Sequence, residues 1–158
     1  MNILFLCTHN SCRSILAEAI TRHLVVQLGS QTDVVVASAG SAPRGMVHPL
    51  TLQYLTQWSV DTKNLHSKSW DDLTEFNPDL VITVCDQAAG ESCPVWFGSA
   101  IKGHWGLPDP TRTGLSPTQI EAEFTLLFDV LSKRCEALIR LNQLNQAAIE
   151  AIAFSYPL

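Results

Sequence analysis

Strands and helices alternate along this 158-residue chain. That alternation predicts an α/β fold, a parallel sheet covered on both faces by helices. Two further observations support it. Apolar or β-branched runs recur at 3–6, 34–38, 80–84 and 100–105, with helically spaced apolar residues between them. The run Leu80 to Val84 turns apolar side chains to both faces, as a central parallel strand should.

Taken in order, Ile3 to Leu6 reads as a buried first strand. Ser14 then opens a helix bearing Ile15, Leu16, Ala19, Ile20 and Leu24. Val34 to Ser38 is the second strand, closed by Ala39-Gly40. Pro43 and Gly45 mark a loop, and Pro49 suits the first turn of a helix carrying Leu52, Leu55 and Trp58. Ser69 and Asp72 can cap a short helix holding Leu73 and Phe76, and Asn77-Pro78-Asp79 is a turn into the third strand. Ala100 to Trp105 is the fourth strand. Ser116-Pro117-Thr118-Gln119 carries a helix-start signature, followed by a stripe of Ile120, Phe124, Leu127, Phe128, Leu131, Cys135 and Leu138. The Gln- and Ala-rich tail, 142–158, is expected to extend that helix or to fray. No repeat or linker divides the chain, so residues 1–158 are read as one domain.

Composition narrows the function. Asp and Glu number 15 against 10 Lys and Arg, and the net charge of -5 disfavours nonspecific nucleic-acid binding. The apolar runs are too short to span a bilayer, and no secretion signal is visible, so no membrane role is expected. Five cysteines in such a chain suggest thiols kept reduced in the cytoplasm. Cys-x2-Cys and His-x3-His spacings are absent, so no metal site is expected.

The chemistry gathers at Cys7-Thr8-His9-Asn10-Ser11-Cys12-Arg13-Ser14, where a strand runs through a cysteine and a short polar loop into a helix. Backbone N–H groups of such a loop and of the helix start converge on a bound tetrahedral oxyanion. Arg13 adds a planar guanidinium that grips two oxygens, and Asn10 tolerates a left-handed backbone. In that positive field the Cys7 thiol is expected to ionise below its free value of about 8.5. The plainer reading, a core cysteine ending a strand, needs neither the loop nor the arginine.

Asp109, in Gly106-Leu107-Pro108-Asp109-Pro110, is placed to protonate a departing oxygen, although an Asp-Pro pair also serves as a simple turn. Cys85 ends the third strand, and Cys93 follows a pliable segment containing Gly90. The two form either a thiol relay, Cys85 attacking an adduct on Cys7 and Cys93 attacking the resulting disulfide, or one core and one incidental loop cysteine. Cys12 reads as a structural or backup thiol, and Cys135 as core. Trp96 and Phe97 beside Cys93 either form a docking patch for a redox partner or pack onto the domain.

These residues, together with Ala17-Glu18-Ala19, Ser38-Ala39-Gly40, Cys93-Pro94 and His104-Trp105-Gly106, resemble arsenate reductases of the low-molecular-weight tyrosine phosphatase fold, over about Ile3 to Leu138. The resemblance implies a three-layer, four-stranded parallel sheet flanked by helices. It implies Cys7 as nucleophile, Arg13 as oxyanion clamp, Asp109 as acid, and Cys85 and Cys93 as relay cysteines. It further implies a cytoplasmic, monomeric enzyme converting arsenate to arsenite with no bound cofactor. Its external thiol reductant would be thioredoxin, or glutathione with glutaredoxin.

Three departures from the family stand out. His9 stands where the family usually has a small residue, and its imidazole either lines the pocket entrance or shifts the pKa of the thiolate. Lys68 stands where some members have an acidic potassium ligand beside the residues corresponding to Asn10, Glu18 and Ser38, and its ammonium can pair with Glu18 in place of the ion. The segment from Cys85 to Cys93 is a residue longer. The alternative function is a phosphotyrosine phosphatase, disfavoured because Thr111 and Arg112, not aromatic residues, follow the Asp-Pro pair. A non-catalytic anion sensor is a third reading, and needs neither the acid nor the relay.

Overall fold

The computed structural model describes residues 1–29, 33–90 and 97–158. Four parallel strands form one sheet in the order β2-β1-β3-β4: β1 (Asn2–Leu6), β2 (Val35–Ala39), β3 (Leu80–Thr83) and β4 (Ile101–His104). Ile3 pairs with Val36 on one side and Leu80 on the other, and Leu80 pairs with Ile101. The central strands β1 and β3 are buried on both faces over Ile3 to Leu6 and Leu80 to Thr83. At the edge, β4 alternates half-buried Ile101 and Gly103 with exposed Lys102 and His104. An edge strand has less to bury.

One face of the sheet carries helices α1 (Arg13–Gln27), α2 (Pro49–Gln57), α4 (Pro117–Ile139) and α5 (Gln146–Ser155). Their core joins Ile3, Phe5, Leu16, Ile20, Leu55, Trp105, Phe124, Leu127, Leu131, Cys135 and Leu138. The opposite face is thinner. Leu4, Leu6, Ala37, Ala39 and Val81 are covered by Phe97 and a single 3-10 turn, Trp70–Leu73. Phe97 is buried edge-on against Trp70, with ring centroids 6.0 Å apart, so it packs onto the domain. Trp96 lies outside the described residues.

Local signals explain the helix starts. Ser116 accepts from the Gln119 amide at 3.2 Å while Gln119 accepts from the Ser116 amide at 2.8 Å, with Pro117 in the first turn. Of the apolar residues expected on α2, Leu55 is buried and Trp58 packs on the core, while Leu52 is exposed. Thr51 and Tyr54 complete the inward face, Tyr54 stacking on Phe124 at 4.3 Å between centroids. The tail forms α5, a helix of its own. Ile149 seats against Gly103, where a Cβ would lie 2.4 Å from its methyl carbon. Trp105 Nε1 donates to the Ile149 carbonyl at 3.1 Å, and Arg134 Nε to the Tyr156 carbonyl at 3.0 Å. Arg134, buried over the Trp105 ring, thus places its cation at the C-terminal end of α5. Among the described residues no helix is long and apolar enough to cross a membrane.

β1 leads to β2 on one side, and the chain then crosses back to β3 on the other. The reversal lies between β1 and β3, where parallel sheets bind ligands beyond their carboxyl ends. Cys7 follows one of these strands and Cys85 closely follows the other.

Candidate active site

The loop from Cys7 to Cys12 leaves β1 with its carbonyls turned outward. The Thr8 carbonyl accepts from the Ala42 amide at 2.9 Å, and that of His9 from the Arg44 amide at 3.1 Å. The Ser11 carbonyl accepts from the His48 amide at 3.0 Å and from the Thr51 hydroxyl at 3.2 Å. Gly40 lets β2's exit press against the loop: a Cβ there would lie 2.4 Å from the Thr8 carbonyl oxygen. With the carbonyls committed outside, the amides of His9 to Cys12 meet no protein acceptor among the described residues. The first turn of α1 adds N–H groups that no helix can satisfy internally. This is the cradle expected from the sequence, and Asn10 adopts the expected left-handed backbone (φ 45°).

Beneath the cradle a buried polar chain fixes the nucleophile. The Asn10 side-chain amide donates to Ser14 Oγ at 2.8 Å and to Ser38 Oγ at 3.0 Å, while its oxygen accepts from the Lys68 amide at 2.9 Å. Ser38 donates to Glu18 Oε1 at 2.6 Å. Cys7 Sγ lies 2.9 Å from Ser14 Oγ. Because Ser14 already accepts from Asn10, its own hydrogen is free to point at the sulfur, a geometry suited to a thiolate that only accepts. Glu18 is wholly buried between two cations, with Lys68 Nζ at 3.7 Å and Arg22 at 2.6 Å. Lys68 thus occupies the ground beside Glu18, Ser38 and Asn10. Burial pulls its ammonium below the ordinary lysine range, against the opposing pull of Glu18.

The cavity is lined by Cys7, His9, Ser11, Cys12, Arg13, Arg44, Asp109 and Thr111. Of the residues expected at the oxyanion site, Thr8, Asn10 and Ser14 are not among these. Asn10 and Ser14 build the support below it, and the Thr8 hydroxyl lies 3.8 Å from Cys85 Sγ. Arg13 sits at the cavity wall, Nη1 donating to the Leu107 carbonyl at 3.0 Å and Nη2 lying 4.0 Å from Asp109 Oδ2.

Asp109 serves both readings of its Asp-Pro pair. Its Oδ1 closes a turn by accepting from the Thr111 amide at 2.9 Å and the Thr111 hydroxyl at 2.6 Å; its Oδ2 faces Arg13. Burial pushes this carboxyl up, but the Thr111 hydrogen bonds and the Arg13 and Arg44 charges outweigh it and hold it below the ordinary Asp range. Arg112, paired with Glu123, ties this loop to α4.

Cys85 is buried at the start of a short helix, α3 (Asp86–Ala89), its sulfur accepting from the Ala88 amide at 3.4 Å. Asp86 meets His104 Nε2 at 2.9 Å, and Thr83 meets His104 Nδ1 at 2.8 Å, which anchors the start of this segment to the end of β4. Cys93 lies outside the described residues. Cys12 is buried at the cavity wall and Cys135 in the helical core, and burial pushes each thiol up to about 12. Neither is a reactive thiol at neutral pH. Sequence reasoning missed Arg44 at the cavity: a single arginine between Pro43 and Gly45 carries no spacing signal.

The sequence matches the family model of low molecular weight phosphotyrosine protein phosphatase over residues 2–149. It is similar to a Staphylococcus saprophyticus protein named arsenate reductase 2, 37% identical over 117 residues that cover 74% of this chain and 84% of the relative. The fold resembles a solved arsenate reductase in its phosphate-binding state: TM-score 0.69, 25% identity, 87% of this chain and 95% of that one covered. It also resembles a thioredoxin-dependent arsenate reductase of Corynebacterium glutamicum: TM-score 0.65, 28% identity, 90% of this chain and 63% of the other covered.

Proposed function

This chain belongs to the low molecular weight phosphotyrosine protein phosphatase family, and we propose that within it the chain is an arsenate reductase. The observation that carries the reading is Cys85. It closely follows the strand next to the one that delivers Cys7, with its sulfur 3.8 Å from the Thr8 hydroxyl of the cradle. Ester hydrolysis finishes with water and has no use for a second sulfur there. The reductases among its relatives support the same reading, as does a cavity lining that among the described residues holds no phenylalanine, tyrosine or tryptophan.

The chemistry follows from the residues. Arsenate, as a dianion, is held by the loop amides and Arg13. The Cys7 thiolate forms a bond to arsenic, and Asp109 protonates the oxygen that leaves as water. Before arsenate arrives, Thr111, Arg13 and Arg44 keep Asp109 ionised; the incoming negative charge draws off the arginine field and favours the protonated acid. Arsenic is still pentavalent at this stage. Cys85 then attacks Cys7 Sγ; the electron pair of the sulfur–arsenic bond leaves with arsenic, giving arsenite and a Cys7–Cys85 disulfide. Attack by Cys93 on Cys85 frees Cys7, and an external dithiol reduces the Cys85–Cys93 disulfide. Thioredoxin is the reductant we favour, with glutathione and glutaredoxin as the other source. We place this cycle in the cytoplasm, where thiols are kept reduced. Hydrolysis of small aryl phosphates on the same loop and acid is the second reading.

The test couples the protein to thioredoxin, thioredoxin reductase and NADPH. Arsenate-dependent NADPH oxidation that is lost in Cys7→Ser, Cys85→Ala and Cys93→Ala supports the reading. No such oxidation in the unmodified protein, alongside phosphatase turnover that survives in Cys85→Ala and Cys93→Ala, overturns it.

A further inference from the structure

We infer that Arg44 is a second guanidinium of the oxyanion site, a residue that selects free inorganic oxyanions over aryl phosphate esters. This deepens the reductase reading and rests on it for the identity of the natural substrate, although the binding preference itself is independent of any redox step.

Four features of the structure carry the inference. Arg44 lines the same cavity as Cys7, Arg13 and Asp109. Its backbone is not a loose lip. The Arg44 amide bonds the His9 carbonyl at 3.1 Å, the Ala42 amide the Thr8 carbonyl at 2.9 Å, and the Ser67 hydroxyl the His9 carbonyl at 3.2 Å. The Gly45 amide in turn bonds Ser67 Oγ at 3.2 Å, and Gly45 takes a φ of +80° that glycine alone accepts without strain. Arg44 is therefore fixed to the loop that carries the nucleophile.

Next, Arg44 is an exposed cation with no carboxylate within ion-pair distance among the described residues. Arg13, by contrast, is already engaged with the Leu107 carbonyl and Asp109. A bound dianion has oxygens left over once the loop amides and one guanidinium are used, and Arg44 is the available charge at the mouth.

Third, the loop amides and Arg13 converge on the tetrahedral centre at the cavity floor, so an aryl group carried on that anion extends outward to the mouth, where Arg44 sits in the lining. Fourth, Arg44 shares the lining with His9 and Thr111, and among the described residues that lining holds no phenylalanine, tyrosine or tryptophan to wall such a ring. A guanidinium at that spot rewards a bare oxygen and is blocked from it by an ester substituent. Its charge also adds to the field that holds Asp109 ionised in the empty site.

The test measures binding, not turnover. Inorganic phosphate and phenyl phosphate are titrated calorimetrically into the unmodified protein, Arg44→Ala and Arg44→Lys, at low and moderate salt, with thermal melts confirming each fold. Arg44→Ala should weaken phosphate about tenfold while changing phenyl phosphate less than about twofold. Arg44→Lys should restore most of the loss, because charge matters more here than the planar fork. Raising the salt should narrow the gap between the unmodified protein and Arg44→Ala. Unchanged phosphate affinity in Arg44→Ala overturns the inference, and so does an equal loss for both ligands. A protein that fails the arsenate-coupled assay still yields these affinities, so the two readings fail separately.

Discussion

Replacing Lys68 by methionine tests the buried charge network under the cradle. The ammonium lies 3.7 Å from Glu18 Oε1, and Glu18 is wholly buried. At that distance a unit-charge pair in an effective dielectric of about 20 attracts by about 4–5 kcal/mol. Two effects reduce the cost of losing it. Desolvation already opposes the ammonium, as its lowered pKa records, and Arg22 remains 2.6 Å from the other Glu18 oxygen. The Lys68 amide that holds Asn10 also survives the substitution. The expected net destabilisation is therefore about 2 kcal/mol, below the usual penalty for a buried carboxylate stripped of its partner. For a chain of this size that lowers Tm by about 4–8 °C. Melts in matched sodium, potassium and choline chloride supply the assay. The unmodified protein should not distinguish the cations. Lys68→Met, left with the oxygens of Glu18, Ser38 and Asn10, should regain part of its loss in potassium. The reasoning is refuted if Lys68→Met melts with the parent, or if Glu18→Gln abolishes none of the Lys68→Met effect in a double-mutant cycle.

The remaining predictions are simpler. Asp109→Asn removes a carboxylate whose folded pKa is depressed, so the stability that Asp109 contributes is present above its unfolded value of about 3.9 and disappears as pH falls through the folded one. Unfolding titrations of parent and variant should diverge near neutrality and converge in acid; a gap that widens on acidification would refute the assignment. Iodoacetamide at pH 7.5 should modify Cys7 and spare Cys12 and Cys135, whose thiols burial pushes up to about 12. Peptide mapping that finds Cys12 alkylated as fast as Cys7 contradicts that.

Legibility in the sequence follows the range of the interaction. The Cys7-to-Arg13 loop, the left-handed Asn10 and the Ser116–Gln119 capping box are local and could be read directly. The edge strand β4 was found, but its bounds shrank to Ile101–His104, because pairing with β3 and not apolar content decides where it ends. Asp109 was visible as a proline-stiffened carboxyl. That one oxygen makes the turn while the other faces Arg13 emerges only from packing. The Lys68–Glu18 contact was visible through comparison with relatives, since nothing in the spacing of residues 18 and 68 joins them. Arg44 was out of reach altogether, because it meets the cavity only through bonds from residues 42–45 to Thr8, His9 and Ser67. On α2, Leu55 and Trp58 pack inward as their spacing suggests, whereas Leu52 is exposed and Tyr54 takes an inward place by stacking on Phe124, far along the chain.

The loop's outward carbonyls have a consequence for life among competing solutes. A receptor whose amides are aligned in advance reads shape and charge, and phosphate matches arsenate in both. The abundant anion must therefore visit the pocket far more often than the rare one, as an occupant that leaves unchanged. Discrimination then falls to the step at sulfur, because phosphorus does not yield its oxidation state to a thiol and arsenic does. Under this reading the rate of detoxification in a cell tracks the ratio of the two anions, not the amount of arsenate alone.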